Sequence, residues 1–274
     1  MPIVFQFKNR TLVPVDVSGL TPARCQGLAL EEIGQIPVQQ GNRSVPSREL
    51  FEISGTSDDE RQVWRGNCGG IKSIGAELTR GHVLVEGDAG MNLGADMRGG
   101  EIEVTGNTSD NTGLEMREGR IRIHGHAGNN LGGARPGSRR GMTGGEILVH
   151  GNAGCHTGLR QRRGLIAIAG NAGDETGNGM IAGTILIGGA VGAGFGSSMK
   201  RGSILLLAPG SMAPTATNFR RTMTGFPVFI RLLLRYLRNL NFPLPEMDAN
   251  ALFHIYRGDS LELGLGEILC RTQR

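Results

Sequence analysis

Between Ala134 and Arg163 the chain places Arg135, Arg139, Arg140, Arg160, Arg162 and Arg163 against a single acidic residue, Glu146. Guanidinium groups are planar forks of donors that match carboxylate and phosphate oxygens. The cluster is therefore a candidate contact for an anionic ligand or an acidic partner. Part of it continues a column: Thr79, Arg98, Arg117, Thr143, Arg162, Ile181 and Lys200 each stand two positions before a recurring glycine. If the column is stacked at strand spacing, about 4.8 Å, neighbouring cations repel by roughly 0.9 kcal/mol even in a water-like dielectric. Acidic neighbours or an anionic partner must offset that repulsion. Asp96 and Glu115 are placed to offset Arg98 and Arg117, which leaves the six-arginine cluster as the best functional surface.

Other residue types that carry chemistry read as structural. His124 and His150 hold one register on adjacent repeats, with His126 and His156 close by. No carboxylate is expected beside them and their spacing matches no ligand motif, so no metal site is assigned. Cys25, Cys68, Cys155 and Cys270 are widely spaced without a Cys-x-x-Cys pair, which points to buried thiols rather than zinc or iron–sulfur ligands. Leu78, Met97, Met116, Met142, Gln161, Met180 and Met199 form a column expected to face inward, since flexible thioethers fill irregular core space. Asn107, Asn152 and Asn171, with Asp88 and His126 in register, form a second column whose amides can hydrogen-bond from coil to coil. The glycine-rich run Gly189 to Gly196 falls on the repeat's own glycine columns and is a weak phosphate-loop signal. No Ser/His/Asp or Cys/His arrangement can be assembled, and no catalytic residue is assigned.

The elements that position these columns come from a 19-residue repeat. It restarts at Gly81, Gly100, Gly119, Gly145, Gly164, Gly183 and Gly202, with one longer step from Gly119 to Gly145 that places an insertion within Gly133 to Met142. A period in this range marks stacked units, each too small to bury its apolar face alone. In each unit apolar residues alternate, as in Val83/Val85, Ile102/Val104, Ile121/Ile123 and Ile147/Val149, so each unit is a short strand with one buried face. Stacking them gives a mainly β fold, a right-handed parallel β-helix, the hand following the usual sense of parallel crossovers.

The β-helix is expected over residues 61–208, between an N-terminal capping segment, 1–60, and a C-terminal helix with a returning strand, 209–274. Ile3 to Phe7 alternates like an edge strand, and Glu49 to Ser54 reads as another. Gly66-Asn-Cys-Gly69 resembles later repeats and marks a first, atypical coil. Near the other end, Phe229, Ile230, Leu233, Leu234 and Leu237 share one helical face, with Arg231, Arg235 and Arg238 on another. Thr224 is a candidate N-cap and Pro227 a first-turn residue. This helix either seals the second end or lies along the stack. Gly264-Leu-Gly266-Glu-Ile-Leu repeats the coil signature and predicts one more strand.

Glycine makes up 46 of 274 residues, but its strict period and the 38% hydrophobic content argue for a repeat fold and against disorder. No apolar run reaches the roughly 18 residues of a membrane span, and no secretion signal is evident, so a cytoplasmic location is expected. A formal net charge of +4 does not imply nucleic acid as a partner.

The repeated Gly-x-Ile-x-Val-x-Gly-x-Ala-Gly, seen from Gly145 to Gly164, together with Arg257-Gly-Asp and Gly266-Glu-Ile-Leu, resembles the C subunits of formylmethanofuran dehydrogenases. It is similar also to their bacterial counterpart, the C subunit of the formyltransferase/hydrolase complex. The resemblance runs from about Val63 onward. The same glycine-repeat domain closes the large subunit of glutamate synthase, where it is structural. The resemblance implies a non-catalytic scaffold in one-carbon metabolism. Its implied partners are amidohydrolase-like, formyltransferase and dehydrogenase-B-like subunits, which pass a formyl group between tetrahydromethanopterin and a furan cofactor and release formate. A molybdenum or tungsten dehydrogenase is the alternative assembly. Because family furan cofactors carry glutamate-rich tails, the resemblance also implies that the arginine cluster guides such a tail, although the chain alone binds no cofactor. Lys8, Lys72 and Lys200 are the only lysines, a bias that suits a GC-rich methylotrophic bacterium and favours the hydrolase complex. A polysaccharide-acting β-helix enzyme would need outward carboxylate clusters and aromatic platforms that this sequence lacks.

Overall fold

The computed structural model describes residues 1–8, 13–211, 214, 218–247 and 251–273, so part of the polar link between Pro209 and Thr224 lies outside the described residues. Strand β1 (Ile3–Phe7) turns Ile3, Phe5 and Phe7 inward. Ile3 to Phe7 is not an edge strand: it lies between β5 (Phe51–Ser54), to which it is antiparallel, and β6 (Arg61–Arg65), to which it is parallel. The reason is aromatic packing. Phe5 stacks on Trp64 at 4.5 Å and Phe51 meets both rings edge-on, so the strand is gripped from both sides. A second sheet, β4 (Arg43–Pro46), β3 (Pro37–Gln40), β2 (Val15–Asp16) and β7 (Ile71–Lys72), and the short helices α1 (Pro22–Cys25), α2 (Leu30–Gln35) and α3 (Ser47–Leu50) complete this end.

From β6 onward the strands follow the repeat. β6 pairs in parallel with β8 (His82–Val85), and then β9 (Arg98–Val104), β10 (Glu118–Ile123), β11 (Glu146–Val149), β12 (Leu165–Ile168), β13 (Thr184–Ile187) and β14 (Arg201–Leu206) each pair in parallel with the one before. The register aligns Val83, Ile102, Ile121, Ile147, Ile166, Ile185 and Ile204, all buried. A second ladder of single parallel bridges links Ala89, Thr108, Ala127, Ala153, Ala172 and Val191. Between the ladders the expected inward column is fully buried, from Leu78 through Met116 and Gln161 to Met199. The glycine columns serve two needs. Gly113 has φ +65°, and a Cβ there would lie 2.5 Å from Ile147 Cδ1, whereas Gly106 needs no unusual φ but backs directly onto the Gly87 backbone. The insertion leaves the stack after Gly132 and re-enters where the Met142 N–H donates to the Gly132 carbonyl at 2.9 Å.

Past β14, strand β15 (Arg220–Gly225) pairs antiparallel with β16 (Phe253–Gly258), and β16 with β17 (Leu265–Arg271). β17 returns beside β14 in parallel, Ile204 opposite Ile268, as the repeated glycine signature predicts. Helix α4 (Val228–Asn239) lies along the stack: Ile230, Leu234 and Leu237 are buried against Leu148, Leu165, Ala167, Leu186 and Leu205 on the outward side of β11–β14. Two sequence expectations fail here. Thr224 does not cap the helix, because β15 holds it and its hydroxyl meets His254 Nδ1 at 3.0 Å; Pro227 takes the N-cap position instead. Phe229 does not join the buried face and is exposed.

Candidate functional site

At one corner of successive coils the chain enters the left-handed region, at Glu77, Asp96, Glu115, Arg160 and Ser198, with φ between 54° and 58°. This corner carries carboxylates before the insertion, at Glu77, Asp96 and Glu115, and after it one cation, Arg160, followed by the uncharged Ser198. The insertion bridges the two parts. Arg135 reaches back so that its Nη1 donates to Glu115 Oε2 at 2.7 Å, its backbone N–H to Glu115 Oε1 at 3.1 Å, and its Nη2 to Asp96. The hydrogen bond to Asp96 holds the Arg135 guanidinium firmly protonated. Burial works against a charge on Glu115, but hydrogen bonds from Ser138 and Arg135 keep its carboxyl below the ordinary carboxylate range.

The six arginines are divided among three clefts. Arg135 is an ion-pair clamp lining one cleft with Ser18, Ser73 and Asp96. Arg139 and Arg160 line a groove of about 490 Å³ with Lys200 and Glu262, where Arg160 Nη1 also donates to the Ser138 carbonyl and Lys200 stands 3.6 Å from Glu262. Arg140, Arg162 and Arg163 line a larger groove of about 600 Å³ with Arg117, Ser138, Thr143 and the carboxylate-bearing Glu115, which Arg135 already engages. Among the described residues, no carboxylate comes within ion-pair distance of Arg140, Arg162 or Arg163. Glu146, the acid expected to face the cluster, lies elsewhere: it accepts from Arg120 Nε at 3.0 Å and from the Tyr236 hydroxyl at 2.6 Å, beneath α4. The expected offsets shift by one coil: Asp96 stands 4.0 Å from Arg117 and Glu115 serves Arg135, so Arg98 has no carboxylate at ion-pair distance among the described residues. The repeat column did identify Arg117, Thr143 and Arg162 as neighbours, and they share the larger groove.

The histidines are not isolated from carboxylates. His124 Nε2 meets Glu103 Oε1 at 2.7 Å, a diagonal contact between adjoining columns, and this hydrogen bond holds Glu103 below its ordinary range. The His150 ring stands edge-on to His124 at 4.7 Å and to Phe242 at 5.6 Å. Burial depresses the His150 pKa, and the charges of His124 and Arg122 depress it further. Among the described residues, no group of three or more His, Cys, Asp or Glu side chains is arranged to hold a metal ion. No disulfide links the four cysteines, and burial pushes the thiols of Cys68 and Cys270 up to about 12 and that of Cys25 to about 11.

The asparagine column runs from side chain to backbone. Asp88 Oδ1 accepts the Asn107 N–H at 2.7 Å, Asn107 Oδ1 that of His126 at 2.8 Å, His126 Nδ1 that of Asn152 at 2.9 Å, and Asn152 Oδ1 that of Asn171 at 2.8 Å. Sequence reasoning missed a true amide ladder one corner away: Asn130 Nδ2 donates to Asn111 Oδ1 at 2.9 Å and Asn111 Nδ2 to Asn92 Oδ1 at 3.1 Å. The 19-residue spacing of these asparagines was the available signal.

Residues 70–223 match the family model described as the GXGXG motif. The C subunit of the tungsten-containing formylmethanofuran dehydrogenase 2 of Methanococcus maripaludis is 36% identical over 90 residues, 32% of this chain and 33% of that protein. The C subunit of the molybdenum-containing formylmethanofuran dehydrogenase 1 of Methanothermobacter marburgensis is 38% identical over 94 residues, 34% of this chain and 24% of that protein. The matched stretch thus spans between a quarter and a third of these curated relatives. A chain in the X-ray crystal structure of the formyltransferase/hydrolase complex (FhcABCD) from Methylorubrum extorquens, in complex with methylofuran, aligns with a TM-score of 0.88 at 33% identity, covering 97% of this chain and 98% of that one. No helix among the described residues is long and apolar enough to cross a membrane.

Proposed function

The chain belongs to the GXGXG-motif family, with the C subunits of formylmethanofuran dehydrogenases and their counterpart in the formyltransferase/hydrolase complex as relatives, and on that basis we propose that it is the scaffold subunit of a formyltransferase/hydrolase complex. The observation that carries this reading is the end-to-end likeness to a chain of the Methylorubrum complex, which includes the N-terminal sheet and the C-terminal helix, whereas the matches to dehydrogenase subunits stop at about a third of this chain. On this reading the stack is a right-handed parallel β-helix over residues 61–208, flanked by a capping segment and a C-terminal helix with its returning strand. It works in the cytoplasm beside amidohydrolase-like, formyltransferase and dehydrogenase-B-like subunits. Those partners carry a formyl group between tetrahydromethanopterin and a furan cofactor and release it as formate. On this reading the chain contributes surface and no reacting group.

The larger arginine groove suits a glutamate-rich tail of a furan cofactor. Arg140, Arg162 and Arg163 offer guanidinium forks without carboxylate partners among the described residues, and carboxylates entering this groove would meet all three together. The smaller groove, with Arg139 and Arg160, would extend that contact, while Arg135 is already spent on Asp96 and Glu115. A second reading, the C subunit of a molybdenum or tungsten formylmethanofuran dehydrogenase, is favoured by the 36–38% identity to those subunits over their matched stretch. Native mass spectrometry of the complex purified from its own cells, with metal and pterin analysis, separates the two. Three larger partners without a pterin are expected. A molybdenum or tungsten pterin would select the dehydrogenase, and recovery of the chain alone would end both readings.

A further inference from the structure

Helix α4 is more apolar than its packing requires. At about 100° per residue, the buried Ile230, Leu234 and Leu237 and the half-buried Leu233 occupy roughly a third of its circumference, enough to dock one helix on one surface. The apolar arc does not stop there. It continues through Phe229 and Tyr236, 39% and 37% exposed, to Leu232 and Val228, 65% and 72% exposed. Altogether it covers about 240° of the helix by the same geometry. The remaining edge is a ridge of Arg231, Arg235 and Arg238, and the helix contains no acidic residue. Among the described residues none of these three arginines forms an ion pair; Arg231 rests over the Phe226 ring at 5.2 Å. β15 ends two residues before α4 begins and is the outermost strand of its sheet, where Arg220, Arg221 and Met223 are exposed.

We infer that the outer face of α4, extended by β15, is the docking surface for a partner subunit that presents apolar side chains bordered by carboxylates. The inference rests on the scaffold reading and names where one partner sits. An arc this wide is matched to two surfaces, and the stack supplies the first. Charge selects the nature of the second: an arginine ridge without acids is complementary to an acidic rim. A second copy of this chain fits poorly, because a self-complementary contact would bring two arginine ridges together. A lipid surface fits poorly too, since a helix lying in a membrane interface sets a broad polar face opposite its apolar one, whereas here the side opposite Leu232 packs on the stack. A helix about 18 Å long and about 10 Å across presents roughly 200 Å² to one side, short of the roughly 800 Å² per side of a standard interface. Val228 and Leu232 are therefore anchors, and β15 supplies much of the remaining area.

The test uses the whole complex purified from its own cells, with the chain carrying either V228D together with L232D, or R231E together with R235E. Native mass spectrometry reads subunit occupancy, and thermal unfolding of the separate chain checks that the substitutions leave its fold intact. At least a tenfold loss of one partner subunit is expected for both variants, with the other partners retained. Full occupancy in both variants overturns the inference and leaves the scaffold reading standing. A wild-type chain recovered without partners overturns both. Loss of a homodimer instead of a partner, or loss of wild-type binding to vesicles of phosphatidylserine and phosphatidylcholine, overturns it in favour of a second copy or a membrane.

Discussion

The two halves of the stack share one interior and differ in one outward column. Along the pairing register that column reads Leu84, Glu103 and Arg122 in the first half, then Leu148, Ala167, Leu186 and Leu205 in the second. In the first half these outward residues are half-buried and two of the three are charged; in the second they are all fully buried under α4. The inward residues are isoleucines and valines in both halves, with Leu206 the one change, in β14. The repeat therefore dictates the inside, while the outside is free to follow whatever covers it, water in one half and a helix in the other. His124 and His150 mark the border, stacked on adjacent coils, one hydrogen-bonded to Glu103 and the other turned against Phe242.

The strongest way to break this contrast is to charge the column. Leu186→Asp should cost about 4 kcal/mol or more, because a carboxylate beneath α4 has neither water nor a partner. Arg122→Leu in the first half should stay within about 0.5 kcal/mol. Urea unfolding of both variants checks this, and a cost below about 1 kcal/mol for Leu186→Asp would mean that α4 does not seal the flank. The shared interior makes the opposite prediction. Met116→Ala and Met180→Ala should each cost about 3 kcal/mol, and a large difference between them would show that the halves also differ inside.

A weaker test lies at the asparagine column. Asn107→Ala and Asn152→Ala should each cost about 1 kcal/mol, since the backbone N–H groups of His126 and Asn171 lose their acceptors but remain near water. The histidine border gives a pH test. His150 is depressed from the ordinary value of 6.5, so the unfolded chain binds its proton more readily than the folded one. Its contribution is complete above pH 6.5 and is lost as pH falls through the folded value. Glu103 is depressed from 4.5, so its contribution persists above that pH and fades only in more acidic solution. Urea midpoints measured from pH 8 to 5 should fall for the wild type and flatten for His150→Gln. The smallest stability effect is expected for combined replacement of Arg140, Arg162 and Arg163 by alanine, within about 0.5 kcal/mol. The same variant should lose polyglutamate binding at low salt, read by fluorescence anisotropy, and unchanged binding would remove the anionic-tail role.

What the sequence revealed follows this division. The interior was legible because alternation and a fixed period report directly on burial. The covered flank was not recognised, although its signal was present: Leu148, Ala167, Leu186 and Leu205 turn alternating strands into unbroken apolar runs, the mark of a strand buried on both faces. The arginine cluster was only partly legible. Closeness in sequence grouped six residues, but the insertion abandons the repeat and its path sends Arg135 back to Asp96 and Glu115. The contact between Glu103 and His124 was missed because it is diagonal, and reading residues by column cannot see across columns. Thr224 suggested a helix start by type alone; antiparallel pairing with His254 holds it in β15 instead.

The return of β17 to β14 has a consequence for how the protein is made. At about 5 to 20 residues per second, the ribosome needs roughly 3 to 13 s to travel from Ile204 to Ile268, the pair that joins these strands. Throughout that interval β14 presents a row of unpaired backbone donors and acceptors, the kind of edge on which nascent chains aggregate. The opposite end is closed long before, because β1 and β5 are translated ahead of the strand they protect. Translation pauses between these two strands would therefore set the yield of soluble protein more strongly than pauses anywhere earlier in the message.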